Sequence, residues 1–242
     1  QVAVGVGTTN GGYLLLSDKS RKVWKKRGPF LKGESVNRLT YSHKGKKLYA
    51  ATLTDGVFVS GDFGKTWKPI NRGLHVRKVW TVAVDPKTPS TLYAGTHYGH
   101  LFRSKSGGES WEEVTGLHTA PKRNDWGIDW GFGTVGLCIH TVRIDSTNAD
   151  RIYIVSSGDG PYRTDDAGAT WSLLNKGVVE SCPVGAKHDS PEIPREQNTG
   201  NLEQHLRDVH KCTHQLLVSA QDHDLLYQQN HCGVYHSQDA GN

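Results

Sequence analysis

Cys138-Ile-His140 and Cys212-Thr-His214 repeat one short pattern, a thiol and an imidazole two residues apart, and His231-Cys232 sets the same two groups side by side. Thiolate sulfur and imidazole nitrogen are ligands that Zn²⁺ or Cu⁺ accept, and Zn²⁺ is the preferred ion for these six residues. Their spacing matches no zinc-binding pattern, so any ion would have to be gathered by the fold. A metal-free polar pocket is an alternative, with His140 or His214 as general base. Packing alone is a third, since histidine often hydrogen-bonds in a wall and cysteine often fills a core. Asp129 and Asp159 are candidates for a carboxylate pair of the kind glycosidases use, at no separation the sequence defines.

The elements that must position these groups are marked by a repeated octet. Ser60-Gly-Asp62-Phe-Gly64-Lys-Thr66-Trp67 returns intact as Thr164-Asp-Asp166-Ala-Gly168-Ala-Thr170-Trp171. Ser104-Lys-Ser106-Gly-Gly108-Glu-Ser110-Trp111 lacks only the acid. Ser17 to Trp24 keeps the ends, and Ser237-Gln-Asp239-Ala-Gly241-Asn242 stops short of the tryptophan. The pattern Ser/Thr-x-Asp-x-Gly-x-x-Trp describes a tight hairpin. Asp bonds the turn's own amides, Gly takes a positive φ, and Trp buries a large ring under the next strand.

Around each octet the sequence reads as four short strands. The first whole unit runs Val36 to Tyr41, Lys47 to Thr52, Val57 to Ser60, then a strand from Trp67; a Leu/Ile-Tyr pair marks the second strand of every unit. Repeats of about 40–50 residues are the mark of propellers and solenoids. The predicted fold is therefore all-β, a β-propeller of four-stranded antiparallel blades in one domain over 1–242. Whole blades are expected at 34–72, 77–116 and 137–176, partial ones at 1–30 and 211–242, and an insertion at 177–210. The N-terminal partial blade is expected to lack its innermost strand. Fewer than five blades would leave hydrophobic faces and sheet edges open, so a piece of a six- or seven-bladed ring is expected.

The octets resemble the Asp-box, or bacterial neuraminidase repeat, of sialidase-like β-propellers. The segments 28–33, 136–141 and 227–235 also resemble an uncharacterised bacterial family described as glycosyl-hydrolase or exo-sialidase-like repeat proteins. The resemblance implies that Ser60, Asp62, Gly64, Trp67, Trp111, Asp166, Gly168, Trp171 and Asp239 are structural, on the face opposite the ligand entrance. A true sialidase would need an arginine triad, a Tyr–Glu pair and a Phe/Tyr-Arg-Ile/Val-Pro motif. No such tetrapeptide occurs, and among the candidate positions on the ligand face only Arg38 is an arginine, so sialidase activity is not expected.

The same topology brings the starts of the innermost strands to one channel mouth. Asn37-Arg38, Trp80, His140 and His214 align there, with the second hairpins adding His97, Asp159 and His231-Cys232. The long connection 116–136 adds Trp126 and Trp130. Arg38, Trp80, His97, Trp126, Trp130 and Asp159 are thus the candidate ligand contacts, and His140 and His214 the candidate catalytic groups. The expected function is a hydrolase acting on a glycan-type or small ester-type substrate at this mouth. The alternative is a non-catalytic binding or assembly-factor propeller with a protein or carbohydrate ligand, and a protein partner or self-association through open blade edges is the further expectation.

Composition narrows the classes. Of 242 residues 28 are glycine, 7 are tryptophan and 35% are hydrophobic, which suits many short strands. No run of 18 apolar residues exists to span a membrane. The net charge of +5 is scattered among turns such as Lys44 to Lys47, not interleaved with aromatics as nucleic-acid binding would need. Four cysteines without CxxC spacing point to a reducing compartment, the bacterial cytoplasm, with secretion left open.

Overall fold

A computed structural model describes residues 2–123, 138–157, 160–178, 213–230 and 233–242. Its strands form five antiparallel sheets that follow one another along the chain. The first holds β1 (Val2–Thr8), β2 (Gly11–Ser17) and β3 (Lys25–Phe30). The second holds β4 (Val36–Ser42), β5 (Lys47–Thr52), β6 (Gly56–Ser60) and β7 (Lys68–Pro69). The third holds β8 (Val79–Val84), β9 (Leu92–Thr96), β10 (Leu101–Ser104) and β11 (Glu112–Glu113), followed by a 3-10 turn at Thr115–Thr119. The fourth holds β12 (Ile139–Ile144), β13 (Ile152–Ser156), β14 (Gly160–Thr164) and β15 (Ser172–Leu173). The fifth holds β16 (Thr213–Val218), β17 (Leu226–Asn230) and β18 (Gly233–Ser237).

Each sheet is a blade of a β-propeller. The first strands lie side by side around the axis, β4 beside β8, β8 beside β12 and β12 beside β16. Every second strand also touches the first strand of the following blade, as β5 does β8 and β13 does β16. β1 touches β4 in this second manner. It therefore occupies a second-strand position, and the first sheet has no innermost strand among the described residues. The outer strands of the second, third and fourth blades are two residues long because the chain leaves the sheet after two rungs to enter the next blade. So short an edge offers little to an invading strand.

The Trp-anchored turns repeat with near-identical bonds. Ser60 Oγ donates to Asp62 Oδ1 at 2.8 Å while accepting from Gly64 N at 2.7 Å, and Asp62 takes Thr66 N at 2.9 Å and Thr66 Oγ1 at 2.7 Å. Thr164, Asp166, Gly168 and Thr170 repeat these at 2.6, 2.9, 2.9 and 2.6 Å. Ser237 Oγ donates to Asp239 at 2.6 Å and accepts from Gly241 N at 2.8 Å. Where the acid is missing, Ser106 Oγ accepts from Ser110 N at 3.1 Å.

These turns meet the turns between first and second strands, through Gly107 N to Ser90 O, Ala167 N to Asp150 O and Ala240 N to Asp224 O. The opposite face receives the hairpins between second and third strands. There Leu53 N donates to Ser35 O, His97 N to Lys78 O and Ser157 N to Cys138 O.

The core lies in the seams between blades. Between the second and third, Tyr49, Val57, Leu74, Val82, Phe102 and Trp111 pack together. Between the third and fourth, Tyr93, Leu101, Ile139, Ile152, Tyr162 and Trp171 do the same. Trp67 stacks on Phe30 with centroids 4.8 Å apart, joining the first two blades. The buried rings of Trp111 and Trp171 each stabilise by roughly 3–5 kcal/mol, judged by what truncation to alanine removes, and the half-buried Trp67 by less.

Candidate functional site

The first strands of the second to fifth blades share a local irregularity at the channel mouth. Their ladders slip between Val36 and Arg38, Val79 and Thr81, Ile139 and Thr141, and Thr213 and Gln215. The residues displaced are Asn37, Trp80, His140 and His214. A bulge re-aims the side chain of its extra residue and bends the strand. Four bulges at one register thus turn four side chains to the same rim.

The side chains form a continuous series. Trp80 lies edge-on to His140 at 5.0 Å, and His140 lies 5.0 Å from His214. On its other side Trp80 tilts against His97 at 5.6 Å. Polar bonds tie the blades at this level, Asn37 Nδ2 to Trp80 O at 2.8 Å and Thr141 Oγ1 to His214 O at 3.1 Å. Burial pushes the His97 and His214 imidazoles below their ordinary 6.5, with the Lys78 charge assisting at His97. Both rings are therefore mainly neutral at pH 7, able to accept a proton or donate one N–H.

Beneath the rim lie two half-buried cations. Burial lowers Arg38 on β4. Arg143 on β12 is pushed down to about 10, first by burial and second by the Arg38 charge. These guanidinium groups come from first strands two blades apart and stand within electrostatic reach of each other. Among the described residues no carboxylate pairs with either.

Of the expected metal ligands, Cys138 is fully buried, with Sγ 3.4 Å from His140 Nε2. Cys212, His231 and Cys232 lie outside the described residues, as do Trp126, Trp130, Asp129 and Asp159. Among the described residues, the group of three ligand atoms within 4.8 Å of one another is elsewhere: His75, His100 and Glu113, at the outer part of the third blade. Sequence reasoning missed that group, and it missed Arg143. Both are distant in sequence from the Cys-x-His pattern that drew attention to the mouth. Two concavities of the surface also lie apart from the mouth. One of about 630 Å³ is bounded by Arg27 to Leu31 and by Gly64 to Trp67, and one of about 490 Å³ lies between the fourth and fifth blades. The first presents cations and rings of its own, Arg27, Lys65 and the stacked Phe30 and Trp67, and what distinguishes the rim from both is its four aligned bulges.

No family model matches the chain. A protein of Neosartorya fischeri described as "Probable oligoxyloglucan-reducing end-specific xyloglucanase" is 29% identical over 136 residues, 54% of this chain and 14% of that protein. Among solved structures, an ancestral GH74 enzyme superposes with a TM-score of 0.58 at 17% identity, over 85% of this chain and 23% of that one. The GH74 enzyme of Niastella koreensis gives 0.53 at 15%, over 100% and 30%. YCF48 bound to D1 peptide gives 0.58 at 12%, over 97% and 60%. The shared property is the fold. It is a β-propeller. The chain spans less than two thirds of each of these proteins.

Proposed function

We propose that this propeller is part of a glycan-processing protein and that its channel mouth takes a sugar chain against Trp80, His140 and His214. The observation that carries the reading is the set of four aligned bulges, which line one rim with a tryptophan and imidazoles. Sugars stack on such flat rings, and neutral imidazoles supply hydrogen bonds to hydroxyls without the cost of burying an ion. The partial likeness to a xyloglucanase and to GH74 enzymes supports the substrate class. If the site also hydrolyses a glycosidic or ester bond, His214 is the candidate general base, held neutral at the working pH by burial, with His140 beside it.

Electrophoresis in gels containing xyloglucan or other β-glucans, with reducing-end release measured in parallel, tests the reading. The chain should be retarded, and Trp80→Ala should weaken binding by roughly 0.5–1.5 kcal/mol, the scale of an aromatic contact. If turnover occurs, its acid limb should fall below pH 6.5 and vanish in His214→Ala. Absence of retardation by every glycan would sink the proposal.

A second reading is a peptide-binding propeller, in keeping with the YCF48 complex. Arg38 and Arg143, which no carboxylate among the described residues pairs with, favour it, since an acidic peptide would meet both. Binding of an acidic peptide that is lost in Arg38→Gln and unaffected by Trp80→Ala would decide for it.

A further inference from the structure

We propose that His75, His100 and Glu113 bind a divalent transition-metal ion, Zn²⁺ in the first place, at the outer seam between the second and third blades. The three come from separate segments. His75 lies on the connection from β7 to β8, His100 at the end of the β9–β10 hairpin, and Glu113 at the end of β11. Glu113 Oε1 is 2.6 Å from His100 Nδ1, and Oε2 is 3.5 Å from His75 Nε2. His118, on the following 3-10 turn, places Nε2 2.8 Å from Oε1.

Hydrogen bonding alone leaves this cluster incompletely served. One carboxylate oxygen is shared by two imidazoles, while the other stands off the third at a distance beyond a good N–H···O bond. An ion between the groups would serve all three. Zinc bonds to nitrogen and oxygen of about 2.0–2.2 Å put tetrahedral ligand atoms roughly 3.3 Å apart. His75 Nε2 already stands at about that distance from Oε2; on the side of Oε1, His100 Nδ1 would have to move out by about 0.7 Å, and the three ligand atoms, now within 4.8 Å of one another, would close around the ion. Two imidazoles and a carboxylate are a donor set that zinc accepts, and the softer sulfur of the channel mouth is not needed.

The ligands are held by the fold. The carbonyl of His100 accepts from Thr96 N at 3.0 Å and Thr96 Oγ1 at 3.2 Å. Glu113 sits opposite Phe102 in the β10–β11 pair, and His75 packs edge-on against the Phe102 ring at 4.8 Å. Buried Leu74 anchors the residue before His75. The Glu113 side chain is 18% exposed and that of His75 is 59%, so an ion would reach the carboxylate from the solvent side. His118, bonded to the same oxygen as His100, then orients the carboxylate, and water completes the shell. An ion here would clamp the interblade connection to the third blade.

The test is titration of the chelator-treated chain with Zn²⁺ alone, by calorimetry and by thermal melting, and with Co²⁺ for its visible absorption. One equivalent should bind, raise the melting temperature and give the intense bands of low-coordinate Co²⁺. His75→Ala, at an exposed position where folding is not at stake, should weaken affinity at least ten-fold, the lower end of what loss of even an outer-shell partner costs. Glu113→Gln should do the same, while His140→Ala should leave affinity unchanged. No stoichiometric binding, binding indifferent to His75→Ala, or binding abolished by His140→Ala alone would each overturn the assignment.

Discussion

At Asp166 a carboxylate takes the place of backbone partners that a tight turn cannot provide. The Thr164 hydroxyl first, then Thr170 by side chain and amide, hold its carboxyl down to about 2. Asp62 is lowered in the same way, chiefly by the Thr66 amide and hydroxyl. A carboxyl depressed in the folded state stabilises above its unfolded pKa of 3.8, and that contribution is lost as pH falls from there towards 2. Asp166→Asn should therefore lower the melting temperature at pH 7, and the gap from the parent chain should close between about pH 4 and pH 2. Tryptophan fluorescence melts across that range would show it; a gap independent of pH would mean that the charge is not what the turn uses. These residues were legible because each has a local job. The Ser106 copy follows the same logic: the position that Phe63 and Ala167 hold at positive φ is Gly107 there, which adopts it without strain.

At the scale of elements, strand order was readable and strand irregularity was not. The Leu/Ile-Tyr pairs and octets located the second and third strands because burial and turn chemistry are written in residue types. A bulge has no such signature, since it arises from how two strands slip against each other. Alignment brought Asn37, Trp80, His140 and His214 to one level, and only the pairing explains why their side chains reach the rim. The turn–seam junction is open to a direct test at Gly168. Its φ is +98°, and an added Cβ would lie 2.4 Å from Val114 Cγ1 in the neighbouring blade. Gly168→Ala should cost roughly 1–3 kcal/mol for overpacking and about 1–2 kcal/mol more for the left-handed backbone, measured by urea denaturation. Gly107→Ala is the matched control, at φ +70° with nothing within 4 Å of the new atom. Equal losses in both variants would show that the seam, as drawn, does not press on the turn.

Across the whole molecule, the main strand contacts among the described residues run within a blade or to the next one, so stability is close to a sum over seams. That is also why the His75, His100 and Glu113 cluster escaped sequence reasoning. Its members share no local motif, and they meet only because one interblade connection folds over the adjacent sheet. The seams are unequal in depth. Every residue of β5, β9 and β13 but the exposed Lys47 is buried, whereas β1 and β18 are exposed along most of their length, with Val4 44% and Val234 72% accessible. Amide exchange needs local or sub-global opening, and its free energy follows the apolar contacts that must be broken. Protection in this chain should peak in β8, β9, β12 and β13 and fall outward on both sides to β1 and β18. Trp111→Ala, which removes a ring from the seam between the second and third blades, should cost roughly 3–5 kcal/mol. It should speed exchange first in the two blades that share that seam. Uniform acceleration along the chain would instead mean that the blades open as one unit and that nearest-neighbour seams do not set the order.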